Sequence, residues 1–365
     1  MEKNNVFKNI IIYAITLILF FVVAGVADRY DGSFVNVILL LVVGAFVGLF
    51  VSTLFHELGH LLGAKSKKFA FSSITIWFFK WYKKGKIIKF CFTIPLGEAG
   101  YTEVIPTKSE NVGKDYSHVV KSGLICSLIP VVLGVIPLFL TMLPQWVYCM
   151  WVMCLPIGAY SFLDNAIPMI YEGERNDGCL LKMLKNDDDS AKVFVNLLKI
   201  QAEIFNGKTP SEIDEDYYFN LPQLREDDLL FARLLNARYN YYLDKGDYEN
   251  AKNVTERLLS LEEYLPSHYM TEIKSDALYN ACTFDFNEEK ADDLTYELEK
   301  YLNKVNTPTT IRIKLSYILF VKGERDMFEP FYNKGVKMAS KCQIKGLGRF
   351  ETKLLDDIKS KFYNK

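Results

Sequence analysis

The 365-residue chain lacks paired cysteines, and it has no excess of positive charge. Its seven cysteines occur singly and never as Cys-x-x-Cys, which argues against a disulfide framework and favours free thiols in a reducing compartment. The net charge is -1 without a basic stripe, so we expect no nucleic-acid partner. Histidine is scarce too, with four in the chain, so two of them in one short motif are notable.

Half of the residues are hydrophobic, and they are unevenly distributed along the chain. Residues 1–185 carry 17 Lys and Arg against 12 Asp and Glu, in long apolar runs, whereas residues 186–365 carry 26 against 32 in a mixed sequence. We therefore predict a membrane-embedded domain at 1–185, with a lipid bilayer as its surroundings, and a cytosolic helical domain at 186–365.

Four apolar runs are long enough to cross the roughly 30 Å of hydrocarbon in a bilayer. They lie at 7–27, 34–54, 119–143 and 146–167. The first run is also open to reading as a signal peptide, although its length favours an uncleaved anchor. The fold predicted for this half is a polytopic α-helical membrane protein with about four transmembrane helices.

Eight lysines and no acidic residue occur between positions 65 and 89, interleaved with aromatic and β-branched residues. This composition, around Gly85, predicts one β-hairpin with strands near 71–82 and 86–95. Lysine-rich short loops mark the cytosolic side of a membrane, so with four spans both termini are expected in the cytosol.

Helical periodicity returns after residue 185. Predicted helix pairs lie at 229–243 with 248–261, 267–283 with 287–304 and 309–322 with 325–340, followed by a last helix at 347–362. This repeat favours a soluble α-solenoid over an irregular bundle. The stretch Gly246-x-Tyr248-x-x-Ala251 resembles a tetratricopeptide repeat.

The second apolar run leads directly into His56-Glu57-Leu58-Gly59-His60. On a helix, His56 and His60 lie one turn apart on the same face and can bind one zinc ion, and Glu57 can act as general base for a water activated by that metal. A catalytic zinc takes a third protein ligand. The carboxylates that end the membrane half offer Asp177, which precedes Gly178 in a predicted tight turn, and Asp164 as its rival.

Together these segments resemble the site-2 protease family of intramembrane zinc metalloproteases. The matching features are the His-Glu-x-x-His motif, Asn165-x-x-Pro168, Asp177-Gly178 and the small-residue stretch that begins at Gly123. The resemblance implies one catalytic zinc with Asp177 as third ligand, and Asn165 and Pro168 in substrate binding. It also implies a membrane-spanning or membrane-proximal peptide substrate and a location in a bacterial cytoplasmic membrane. The nine positions from Pro168 to Asp177 are longer than the family's compact form.

The substrate peptide must be extended for cleavage, and an exposed strand edge can hold it by backbone pairing. Strand 86–95 and the following loop 95–101, which contains Gly100, are candidates, and the alternative is that the hairpin rests on the bilayer. The domain at 186–365 is expected to bind a cytosolic protein partner or the substrate's tail. Two further functions remain open: a membrane metal or proton transporter, and a membrane-anchored helical-repeat scaffold without catalysis.

Overall fold

The computed structural model describes residues 2–27, 34–93, 99–140 and 143–363. The chain forms two compact units, one from 1–105 with 113–186 and the other from 106–112 with 187–365. Residues 106–112 thus belong to the second unit, whereas the sequence places them in the membrane domain 1–185. The described residues are mostly helical, and the first unit also contains a small antiparallel sheet.

The elements up to residue 186 alternate between apolar helices and short strands. In chain order they are α1 (Glu2–Ala27), α2 (Phe34–Ser66), β1 (Ala70–Ile76), β2 (Phe79–Lys84), β3 (Ile87–Phe92), β4 (Gly100–Ile105), α3 (Val112–Cys126), α4 (Leu128–Phe139), α5 (Gln145–Val152), α6 (Cys154–Ala166), β5 (Ile170–Tyr171), β6 (Glu174–Arg175) and α7 (Asp177–Asn186).

Within the described residues, four helical stretches are long and apolar enough to cross a membrane, as predicted: Asn5–Ala27, Val35–Ser66, Val112–Phe139 and Gln145–Ala166. The third is interrupted between α3 and α4 at Ser127, and the fourth between α5 and α6 at Met153. In the most apolar window of the first stretch only 17% of the residues are buried within the protein. A helix that is apolar on its outward faces is suited to lipid and poorly suited to water.

The predicted hairpin around Gly85 is confirmed as β2 and β3, but it is part of a larger sheet in which four strands lie in the order β3-β2-β1-β4. The predicted strand 71–82 is divided into β1 and β2 by a turn at Trp77, whose φ is +54°. Trp77 packs its ring against Phe46 and Phe50 of α2, and its backbone N–H donates to the carbonyl of Ala99. Tertiary packing therefore makes this turn without glycine or proline. Residues 95–98 of the proposed substrate loop lie outside the described residues.

Both helices of each of the three predicted pairs are present in the second unit, and so is the predicted last helix. The elements are α8 (Asp189–Asn206), α9 (Asp216–Phe219), α10 (Leu229–Lys245), α11 (Tyr248–Leu259), α12 (Ser267–Asn280), α13 (Glu288–Lys304), α14 (Pro308–Phe320), α15 (Phe328–Ala339) and α16 (Lys345–Tyr363). Side chains of Asp228, Asp247 and Asn287 cap helix N-termini by accepting backbone N–H groups, which fixes where these helices begin.

The core of the second unit also encloses an ion pair. Arg312 and Glu351 are each 2% exposed, and Arg312 donates from Nε to Glu351 over 2.7 Å. Thr309 donates to the other carboxylate oxygen over 2.6 Å, and the Arg312 guanidinium lies 4.1 Å from the ring centroid of Tyr279. Charge, hydrogen bonds and an aromatic face thus compensate the burial of this pair.

Candidate metal centre

Helix α2 continues without interruption through the His-Glu-x-x-His motif and places His56 and His60 one turn apart. Their Nε2 atoms are 3.1 Å from each other. Both side chains are largely buried, at 10% and 13% exposure. The helix therefore presents two imidazole nitrogens to the same point inside the first unit.

Asp177, the first residue of α7, meets the two histidines at this point. Its Oδ2 lies 3.5 Å from Nε2 of His56 and 3.1 Å from Nε2 of His60. Together His56, His60 and Asp177 form a group that can hold a metal ion.

The other nitrogen of each ring is held by a partner that determines its tautomer. Nδ1 of His60 lies 3.1 Å from the carbonyl of Val119, which can only accept, so His60 carries its proton on Nδ1. Nδ1 of His56 lies 2.7 Å from Oγ of Ser127, whose own proton is donated to the carbonyl of Gly123 over 3.0 Å. His56 is therefore also protonated on Nδ1, so in the neutral form of each ring Nε2 carries the lone pair.

When both rings are neutral, three electron-pair acceptors therefore converge at one point. Oδ2 of Asp177 is buried and has no hydrogen-bond partner among the described residues. Ligand atoms about 2.0–2.1 Å from a tetrahedral zinc lie about 3.3 Å apart, close to the 3.1–3.5 Å separations found here. The donor set and its spacing fit a divalent metal, and the two Nδ1 partners are the outer contacts that orient histidine ligands.

Glycines bring α3 close enough to supply those outer contacts. A Cβ at Gly123 would lie 2.2 Å from Cε1 of His60, and a Cβ at Gly59 would lie 2.5 Å from the carbonyl oxygen of Ser122. Neither position has room for a side chain. The small-residue stretch noted in the sequence thus allows the His60 ring to rest against the α3 backbone.

Glu57 is buried beside the group, at 4% exposure. Thr102 on β4 donates from Oγ1 to Oε2 of Glu57 over 2.6 Å. Gly100, predicted in the substrate loop, is the first residue of β4, where a Cβ would lie 2.8 Å from Oε1 of Glu57 and 2.5 Å from Cγ2 of Thr53. The absence of a side chain at Gly100 therefore lets β4 approach the Glu57 carboxylate.

The long interval between Pro168 and Asp177 is taken up by a small hairpin. Strands β5 and β6 pair through a turn at Glu172 and Gly173, both with positive φ. At its base, Met169 and Asn176 exchange two hydrogen bonds: Asn176 N–H donates to the Met169 carbonyl over 3.1 Å, and Met169 N–H donates to Oδ1 of Asn176 over 3.0 Å. The hairpin brings the chain back so that Asp177 starts close to Pro168 despite the extra residues.

The Asn176 side chain uses its full hydrogen-bonding capacity to hold this junction. Its Oδ1 also accepts the N–H of Cys179 and so caps α7, while Nδ2 donates to the carbonyls of Asp164 and Ile167 over 2.6 and 2.7 Å. Asn176 therefore ties the start of α7 to the end of α6 and fixes where the Asp177 carboxylate lies.

The turn predicted at Asp177-Gly178 is wrong. Gly178 is helical, and its φ is not positive. A Cβ there would lie 2.2 Å from the carbonyl oxygen of Ala166. Glycine serves here to allow α7 to pack against the end of α6.

The rival carboxylate and the proposed substrate-binding residues lie along the same junction. Oδ1 of Asp164 accepts a hydrogen bond from Tyr171 over 2.9 Å, and Asp164 is not part of the metal-binding group. Asn165 donates to the carbonyl of Ser161 over 2.9 Å within α6. The Pro168 carbonyl accepts from Nζ of Lys8 over 2.6 Å. In this structure, these contacts hold the helix end and the hairpin.

Sequence reasoning gave no role to Ser127, Thr102 or Asn176, although each fixes a residue of the site. Ser127 lies 71 positions from His56, and Thr102 lies 45 positions from Glu57. Asn176 reaches back 12 positions to the backbone carbonyl of Asp164 and so positions Asp177. The signal that was available was the Asn before Asp-Gly, since asparagine is a strong helix N-cap.

No family model, no curated protein and no solved structure matches this chain. The chemistry of the centre is therefore argued from its own residues.

Proposed function

We propose that this protein is an intramembrane zinc metalloprotease, with His56, His60 and Asp177 as metal ligands and Glu57 as general base. The observation that carries the proposal is the convergence of three buried acceptor atoms at 3.1–3.5 Å, two from the membrane-length helix α2 and one from the first residue of α7. A zinc ion bound to these atoms would act as a Lewis acid and lower the pKa of a coordinated water to about 7.

Glu57 has the position and the surroundings of a proton carrier. It follows His56 directly in the chain, is buried, and its Oε2 is fixed by Thr102 over 2.6 Å. We propose that Glu57 removes a proton from the attacking water and delivers it to the amine that leaves the cleaved peptide bond. Thr102 and Gly100 act as positioning residues, because they set the orientation of this carboxylate.

The substrate we propose is a membrane-spanning or membrane-proximal peptide in an extended conformation. In the described sheet, β4 is an edge strand, and its residues Gly100 and Thr102 contact Glu57. An extended peptide added to this edge would pass close to the catalytic carboxylate. The other edge strand, β3, belongs to the segment 86–95 that the sequence also offers, whereas the described hydrogen bond to the Glu57 carboxylate comes from β4.

The membrane topology we propose places the lysine-rich segment 65–89 and both termini in the cytosol of a bacterium. Protease added outside intact cells should then leave residues 187–365 undigested. Digestion of this unit from outside would reverse the orientation. The second unit, in this proposal, is a helical-repeat domain that recruits a protein partner or the substrate's cytosolic tail.

The test of the proposal compares Glu57→Gln with the unmodified protein in cells and in purified form. Loss of the general base should reduce cleavage on the order of 10²- to 10⁴-fold while zinc stays bound, because Glu57 is not a ligand. Membrane peptides that accumulate only with Glu57→Gln, identified by mass spectrometry, are the candidate substrates. Exposed Glu110 provides the control, since Glu110→Gln makes the same chemical change away from the centre. Cleavage by Glu57→Gln at the rate of Glu110→Gln would refute the mechanism.

A further inference from the structure

The second unit contains a cavity of about 300 Å³ among helices α8, α10 and α16. Most of its lining is apolar, including Leu198, Ile204 and Phe350. Liquid water occupies about 30 Å³ per molecule, whereas ligand pockets begin at about 300 Å³. The cavity is therefore far larger than the space for one or two ordered waters and has room for an amino-acid side chain.

Three primary amides line this apolar space: Gln201 on α8, and Asn236 and Asn240 on α10. Asn236 and Asn240 lie one helical turn apart, and Asn240 donates to the backbone carbonyl of Asn236 over 3.0 Å. A primary amide offers both donors and an acceptor, which is the set that complements a peptide group.

The side-chain oxygen of Asn236 is buried and has no hydrogen-bond partner within the described part of the chain. A buried acceptor without a donor destabilises a protein, so a ligand N–H that reaches this oxygen once the Asn236 side chain turns towards the cavity would be favourable. Of the described lining residues Arg233 alone is charged; it donates to Tyr269 over 2.8 Å and interacts electrostatically with Glu272. The cavity consequently favours an uncharged ligand.

We infer that this cavity binds an extended peptide segment, with one apolar side chain inside it and a backbone N–H donated to Oδ1 of Asn236. A purely apolar molecule would leave that oxygen unpaired, and a folded surface could not enter a space of this size. The inference gives a location to the recruiting role proposed for this unit and does not depend on catalysis at the metal centre.

The experiment measures peptide binding directly. Full-length Glu57→Gln protein in lipid nanodiscs is titrated into three pools of fluorescein-labelled random octapeptides with Leu, Asp or Lys fixed at one central position. Fluorescence anisotropy should show the Leu pool binding at least about tenfold more tightly than the others. Because Glu57→Gln cannot turn over peptides under the proposed mechanism, binding is measured separately from cleavage, and failure of one proposal is distinguishable from failure of the other.

Two variants test the cavity itself. Asn236→Leu should weaken binding of the Leu pool about tenfold through loss of one hydrogen bond, and Ala237→Leu should abolish it by filling the space. The matched control is Asn253→Leu on the exposed side of α11, which should bind normally. Circular dichroism verifies folding, and if Asn236→Leu does not fold, Ala237→Leu decides. Equal binding of the three pools, no binding, or unchanged binding by Ala237→Leu would overturn the inference.

Discussion

The second unit buries Arg312 with Glu351, a cation with an anion, whereas the first unit buries His56 and His60 with Asp177, whose facing atoms are all acceptors when both rings are neutral. Both sets are largely buried, at 2% exposure for the pair and 10–13% for the triad. The pair has donors for its acceptors, and Thr309 adds another. In the triad, the ring protons point away to Val119 and Ser127.

The difference teaches that buried charge does not by itself indicate a functional site. An ion pair compensates much of its own burial, although Nη1 of Arg312 is buried without a hydrogen-bond partner among the described residues. Three lone pairs at 3.1–3.5 Å repel one another unless a cation is present. A proton can be shared by two of the three atoms, whereas a divalent metal engages all of them, and this comparison favours the metal.

The largest expected effect is loss of the metal from the triad. His56→Ala, His60→Ala and Asp177→Ala should each remove most of the bound zinc, since each deletes one of three protein ligands. Zinc per protein, measured by atomic emission after equilibration with a zinc buffer, checks the prediction. A strong chelator should likewise abolish cleavage by the unmodified protein, and zinc should restore it.

Asp164→Ala is the matched control for Asp177→Ala. Asp164 bonds to Tyr171 and lies outside the metal-binding group, so its removal should leave the zinc content close to that of the unmodified protein. If Asp164→Ala loses zinc while folded Asp177→Ala retains it, the ligand assignment is wrong.

The second prediction concerns the ion pair in the second unit. Glu351→Leu leaves the Arg312 charge buried and should lower the free energy of unfolding by about 3–5 kcal/mol, whereas the double variant Arg312→Met with Glu351→Leu should be nearly neutral. Chemical denaturation followed by circular dichroism measures both. Zinc content should not change in either variant. A double variant as unstable as the single one would mean that the ion pair makes a net favourable contribution to the free energy of unfolding.

The sequence was most informative where the relevant pattern is local. Helical periodicity places His56 and His60 on one face, and apolar runs of membrane length predict the four long helices. Both signals lie within one continuous segment of the chain. The same holds for the helix pairs of the second unit. Asp177 was proposed from the resemblance, and no local pattern could show that it lies 3.1 Å from His60.

Features fixed by distant contacts could not be predicted in the same way. The turn at Trp77 depends on Phe46 and Phe50, which belong to another element, so the local sequence reads as a continuous strand. The bond from His56 to Ser127 spans 71 residues. Gly178 reads as a turn because glycine is frequent there, although its role is close packing against Ala166.

The third prediction tests how the protein sets the tautomer of His56. Ser127→Ala removes the acceptor of the Nδ1 proton, so the proton is free to move to Nε2 and compete with the metal. The zinc affinity should fall by about 10- to 100-fold, a smaller loss than removal of a ligand. Competition with a fluorescent zinc chelator measures it. Ser72→Ala, which loses a bond to Glu103, is the serine control and should bind zinc normally. Equal affinity of the two variants would exclude Ser127 as a positioning residue.

The smallest expected effect concerns Asp276, a third ionisable group beside the Arg312 pair. Burial raises the pKa of Asp276 from its usual value of 3.8 to about 7, with Arg312 acting in the opposite direction and Glu272 and Glu351 adding to the rise. The folded state therefore binds more protons than the unfolded state between about pH 4 and pH 7. The contribution of Asp276 to stability is present at low pH and is lost as the pH rises through about 7.

Asp276→Asn removes this dependence. The difference in Tm between pH 5 and pH 8, measured by circular dichroism, should thus be smaller in Asp276→Asn than in the unmodified protein, while exposed Asp293→Asn should leave it unchanged. An identical pH dependence in all three proteins would show that Asp276 titrates alike in the folded and unfolded chains.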